Sequence, residues 1–128
     1  MTRERIETGG APAPVGPYSQ AISAGGLVFC AGQLGLDPTS GELPVGVEAQ
    51  AIRALENLTA VLDAAGCSWG DVVKTTIFLA DIGDFAVVNT VYGRFVVDPP
   101  PARSTFAVGS LPKGGLVEIE AFAVRPAR

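Results

Sequence analysis

Two short segments of this chain carry the residues best suited to chemistry. Pro101-Ala102-Arg103-Ser104-Thr105-Phe106 and Val117-Glu118-Ile119-Glu120-Ala121 each set charged side chains into an apolar, strand-like run. A charge taken out of water is costly unless it is paired or hydrogen-bonded, so an Arg and a Glu kept in strands point to a small polar site. The guanidinium of Arg103 is a planar fork that fits a carboxylate. Glu118 and Glu120 are the carboxylates of the second segment, and the chain contains no histidine to compete with them for general acid or base work. With no His and two cysteines, Cys30 and Cys67, out of metal-ligand spacing, no metal is expected. Ser19 and Ser104 have no visible His or Lys partner, which argues against a serine nucleophile.

The bulk composition narrows the remaining classes. At 128 residues the chain is expected to form a single domain over residues 1–128. Its 48% hydrophobic and 17% charged content is too apolar for disorder, and no run of about 18 apolar residues suggests a membrane span. A net charge of −4 without a basic stripe argues against nucleic acid as a partner. The first seven residues are charged and lack the apolar stretch of a secretion signal, so a cytoplasmic location is expected.

Periodicity supplies the elements that must position these residues. A short strand over residues 3–7 precedes a Gly- and Pro-rich loop over 8–17. Strands over 19–24 and 27–33 flank Gly25-Gly26, which reads as a tight hairpin. After a turn-rich loop, Val47, Ala51, Leu55, Leu58, Leu62 and Ala65 recur at steps of three and four, a helix that Gly66 stops. The β-branched run 72–79 predicts a strand, and Phe85, Val88, Tyr92 and Phe95 predict a second helix capped by Asp84. Three consecutive prolines force a loop over 97–101. Two last strands span 103–108 and 116–124. The order β-β-β-α-β-α-β-β implies an α+β fold, one sheet with both helices packed on one face. Leu27-Val28-Phe29-Cys30-Ala31 is apolar on both faces, so the uncovered face predicts a second subunit against it.

The two charged segments resemble the signature of the RidA (YjgF/YER057c/UK114) family of enamine/imine deaminases. The resemblance continues in order through Gly16-Pro17-Tyr18-Ser19-Gln20-Ala21, Gly32-Gln33, Ala54-Leu55-Glu56-Asn57-Leu58, Val73-Lys74-Thr75-Thr76-Ile77-Phe78 and Asn89-Thr90-Val91-Tyr92. It implies a chorismate-mutase-like fold with a single mixed sheet, a homotrimer, and sites in the clefts between subunits. It also implies hydrolysis of reactive 2-imino acids, such as 2-iminobutanoate and 2-iminopropanoate, to a 2-oxo acid and ammonia without a cofactor. The alternative within the same family is a trimer that binds small carboxylates, or shields unfolded chains, without turnover.

Residue by residue, the resemblance makes Arg103 the clamp on the substrate carboxylate, helped by the backbone N–H of Thr105, where many relatives carry Cys. Glu118 activates the hydrolytic water, and the carbonyl of Gly32 is a second anchor for it. Tyr18 walls the cleft and Asn89 lines it. Cys30, in an apolar strand, reads as a core residue that borders the pocket. Burial would raise the pKa of Glu118 and a nearby Arg103 would lower it.

Overall fold

Gly25 and Gly26 both adopt positive φ, 59° and 80°, the backbone a two-residue hairpin turn requires and one that costs glycine little. They join β2 (Ala21–Ala24) to β3 (Leu27–Leu34), and β1 (Glu4–Ile6) pairs antiparallel with β2. The computed structural model, which describes residues 2–127, continues with α1 (Val47–Ala64), β4 (Val72–Leu79), α2 (Phe85–Gly93), β5 (Ala102–Ala107) and β6 (Val117–Val124). This is the expected order of elements. Three short 3-10 turns, Trp69–Asp71, Ile82–Asp84 and Pro112–Gly114, fall in connections that periodicity leaves blank.

All strands join one sheet in the order β1-β2-β3-β6-β4-β5. Only β4 and β5 run parallel, with α2 as the crossover between them, so the fold is α+β with a single mixed sheet. The last strand therefore lies in the middle, between β3 and β4. No helix among the described residues is long and apolar enough to cross a membrane.

Helix α1 follows its apolar stripe: Ala51, Leu55, Leu58 and Leu62 are fully buried. It stops where Gly66 takes φ 77°, with the Gly66 and Cys67 N–H groups donating back to the Asp63 and Leu62 carbonyls at 3.0 and 2.9 Å. The expected cap of α2 is not formed. The turn at Ile82–Asp84 runs straight into the helix and leaves Asp84 at φ −84°, ψ 0°, away from the extended backbone that lets a cap side chain reach the helix. Asp81 takes the capping role one turn earlier, accepting from the Gly83 N–H at 2.8 Å.

The core fills the space between the helices and one face of the sheet, where Val28, Ile77, Leu79, Val117 and Ile119 are no more than 1% exposed. The opposite face has no cover among the described residues. Leu27, Phe29, Phe106, Phe122 and Val124 are 39 to 46% exposed there, and edge-on ring pairs Phe29–Phe122 and Phe78–Phe106, each 5.4 Å between centroids, organise it.

Candidate active site

A cleft of about 300 Å³ opens where β3 ends and β6 begins. Val15, Tyr18, Gly32, Leu36, Lys113 and Glu118 line it, with Pro12, Leu34 and Pro112 among the further walls. Three residues singled out from the sequence, Tyr18, Gly32 and Glu118, thus meet in one place.

A bulge makes their meeting possible. Cys30 pairs with Ala121 and Gln33 with Ile119, so Ala31 and Gly32 together face one residue of β6. The Ala31 N–H leaves that ladder and donates to the Gln20 carbonyl at 2.9 Å. A Cβ on Gly32 would stand 2.8 Å from both Cδ and Oε1 of Glu118, closer than real atoms pack, so the missing side chain is where the carboxyl lies. Glu118 is half-buried, and burial raises its pKa above the ordinary carboxylate range, with the nearby Glu120 adding to the rise. Arg103 of the same chain is not among the groups that act on it, so the opposing influence posed from sequence is absent within one chain.

The Tyr18 ring is held by a tight turn, its own N–H donating to the Gly16 carbonyl at 2.8 Å while its hydroxyl accepts from the Val15 N–H at 3.4 Å. Three buried amides fix the segments around the cleft, none of them assigned a role from sequence. Gln20 Nε2 donates to the carbonyls of Thr8, Ala11 and Pro12, and its Oε1 accepts from the Thr8 N–H, which ties down the Gly- and Pro-rich loop. Asn57 Nδ2 donates to the Leu34 and Leu36 carbonyls at 3.0 and 2.9 Å. Gln50 Oε1 accepts from the Leu116 N–H at 2.9 Å, just before Glu118, and its Nε2 donates to the Pro44 carbonyl. The available signal was spacing: Gln50, Ala54, Asn57 and Val61 form a second buried column on α1 beside the apolar stripe.

Arg103 is elsewhere. It aligns through Thr75 of β4 with Ala121 of β6, whose side chain faces the helices, whereas Glu118 alternates to the open face. The guanidinium lies over two rings of α2, its carbon 5.0 Å from the centroid of Tyr92 and 5.6 Å from that of Phe85. The Tyr92 hydroxyl in turn shares a 2.6 Å hydrogen bond with Thr75 Oγ1. Asn89 falls between Phe85 and Tyr92 at helical spacing, on the same side of α2. Arg103 and Thr105 thus share the helix-facing side of β5, with Asn89 on the side of α2 that carries the two rings, and the paired guanidinium and carboxylate expected from sequence do not meet within one chain. The reason is parity, since Glu118 lies an odd number of residues from Ala121.

Thr105 faces the helices like Arg103. Its Oγ1 is sealed from solvent without a hydrogen-bond partner, alone in this among the buried side-chain polar atoms of the described residues. Cys30 is corrected in one respect. It is a core residue, 3% exposed on the side of β3 that packs on α1, and it does not line the cleft. Burial, with Cys67 nearby, pushes its thiol pKa up to about 12, far from nucleophilic use. Both cysteines are free. Among the described residues no three His, Cys, Asp or Glu side chains converge as a metal ligand set would.

The same architecture recurs in known proteins. The family model described as Endoribonuclease L-PSP matches residues 8–125. A RutC family protein of Synechocystis sp. is 53% identical, the match covering 98% of this chain and 99% of the relative. The 2-iminobutanoate/2-iminopropanoate deaminase of Bos taurus is 50% identical, covering 98% of this chain and 92% of its own. Among solved structures, RidA from an Antarctic Psychrobacter superposes with a TM-score of 0.92 at 48% identity, covering 94% of this chain and 98% of that one. TdcF of E. coli, solved with bound serine, superposes at 0.91 with 44% identity over 96% and 99%. With the sheet order, the Gly32–Glu118 contact and these similarities in agreement, the chain belongs to the RidA (YjgF/YER057c/UK114) family.

Proposed function

We propose that this protein hydrolyses reactive 2-enamino and 2-imino acids of the 2-iminobutanoate/2-iminopropanoate type to 2-oxo acids and ammonia. The observation that carries the reading is the Glu118 carboxyl lying against Gly32 in the cleft with its pKa raised by burial. A carboxylate moved toward neutrality is a better proton acceptor than an ordinary one. The deaminases at about half identity over almost the whole chain support the same chemistry.

In this reading a water held between Glu118 and the Gly32 carbonyl attacks the imine carbon as Glu118 takes its proton. The tetrahedral carbinolamine collapses as a proton reaches the nitrogen: the C–N bond breaks, ammonia leaves and the C=O forms. Proximity supplies much of the acceleration, since an imine already reacts with free water. Arg103 clamps the substrate carboxylate, and it does so from a neighbouring copy, because the two groups lie on opposite faces of one sheet. A homotrimer pairing the apolar face of each chain with the next would join the Tyr18–Gly32–Glu118 half-site to the Arg103–Thr105–Asn89 half-site. The exposed Phe29, Phe106 and Phe122 support such burial.

The test is competition with semicarbazide. A dehydratase generates 2-iminobutanoate in situ, and the expected result is slower semicarbazone formation when this protein is added. Unchanged trapping by a protein that still binds 2-oxobutanoate favours a binding trimer without turnover and refutes the reading. Light scattering at micromolar concentration tests the assembly, since a monomer is incompatible with a shared site.

A further inference from the structure

We infer that Lys113 forms a second anion subsite at the end of the Glu118 cleft, and that the protein favours 2-imino acids whose side chain ends in a carboxylate. The inference rests on the deaminase reading and names the substrate class for the same site. If Arg103 of a neighbour holds the substrate's own carboxylate and Glu118 with Gly32 holds the reacting carbon, the rest of the cleft is left for the side chain.

The single chain's part of the cleft measures about 300 Å³, roughly ten units of the ~30 Å³ a water molecule occupies, and the attacking water and the reacting carbon take only the part beside Glu118 and Gly32. Its walls are Pro12, Val15, Leu34 and Leu36, and they suit methylene groups. Lys113 is the one cationic side chain among the lining residues. Among the described residues it makes no ion pair, so its charge is not committed to the protein.

The backbone adds an independent observation. Lys113 sits at φ 59°, ψ 22°, and among the described residues it is the only non-glycine with positive φ. This conformation is strained for a side-chain-bearing residue and suits Gly or Asn better. Pro112 before it and Gly114 after it, at φ 69°, hold the turn in place. Lys113 is exposed at the cleft that holds the proposed base, where its ammonium can reach an anion bound there.

The experiment compares two imines in the semicarbazide assay: 2-iminobutanoate from a dehydratase, and 2-iminoglutarate from a glutamate-specific oxidase with catalase present. The readout is the ratio of kcat/KM, dicarboxylic over monocarboxylic, in the parent, Lys113→Met, Lys113→Asn and Lys113→Arg. The ratio should fall about tenfold in the Met and Asn variants, through KM, and recover in the Arg variant, as expected for one lost charge-assisted contact. Asn tolerates the left-handed backbone, so its result separates charge from strain. A ratio within twofold of the parent in both neutral variants, with 2-iminobutanoate still turned over, overturns this inference alone. A parent inactive on both imines overturns the deaminase reading and this inference with it.

Discussion

Replacing Gly32 by Ala probes the catalytic geometry with a single methyl group. Gly32 is not among the positive-φ residues, so alanine imposes no backbone strain, and the loss of glycine's freedom in the unfolded chain favours folding by about 0.4–1 kcal/mol. The new Cβ meets Glu118 Cδ and Oε1 at 2.8 Å, where ordinary contacts begin at 3.4 Å, so the carboxyl must retreat by at least roughly 0.6 Å. The atoms in the way belong to the end of a flexible side chain, so the displacement is cheap for stability. It is expensive for chemistry, because a misplacement approaching 1 Å costs about 100-fold in rate, or about 2.7 kcal/mol of transition-state stabilisation. Gly32→Ala is therefore expected to melt at or above the parent temperature while kcat/KM for imine hydrolysis falls by about two orders of magnitude. Calorimetry and semicarbazide competition on one preparation measure both. Activity within threefold of the parent in a fully folded variant would refute the placement of the water between Glu118 and Gly32.

Glu118→Gln should remove most of the activity and leave the melting temperature unchanged or higher. Because the folded-state pKa of Glu118 is raised, its folded-state contribution is fully present below the unfolded carboxyl value and is lost as pH rises through the folded one, so the advantage of the Gln variant should grow over that window. As a base, Glu118 must be ionised, and the acid limb of the parent's kcat/KM profile should lie above the ordinary carboxylate range and be absent from the variant's residual rate. Arg103→Lys keeps a positive charge but loses the fork and its stacking on Phe85 and Tyr92, and should lower kcat/KM for carboxylate-bearing imines at least about tenfold. Parent-like rates would refute the clamp.

What could be read from the sequence was whatever neighbours decide. The strand at Val72–Leu79 was bounded to the residue by its β-branched run, and Gly25, Gly26 and Gly66 occupy the left-handed positions assigned to them. The roles of Tyr18, Gly32 and Glu118 follow from the family resemblance and not from local pattern, and all three line one cleft. The rest depends on pairing between distant segments. That β6 inserts between β3 and β4 is invisible to local periodicity, and with it the parity that turns Arg103 toward α2 and Glu118 away. The bulge at Ala31 and Gly32 is equally nonlocal, because it exists only in register with β6. Asp84 failed as a cap because a 3-10 turn abuts α2, and Cys30 left the pocket because its face of β3 packs on α1. Gln20, Gln50 and Asn57 carry no local signal of the loops they tie down, because those loops are distant in sequence.

The separation of Arg103 and Glu118 by the thickness of a sheet has a genetic corollary. In the proposed ring each chain lends its guanidinium to one neighbour and its carboxylate to the other, so a lesion in either residue disables a junction without disabling the subunit. Two alleles, one damaged at Arg103 and the other at Glu118, are each null alone, yet they complement when coexpressed. Every mixed ring of three contains one junction that joins an intact Arg103 to an intact Glu118, and random equal mixing restores about a quarter of the junctions. A variant that abolished assembly itself could not be rescued in this way, so allelic complementation distinguishes damage to the chemistry from damage to the contact between chains.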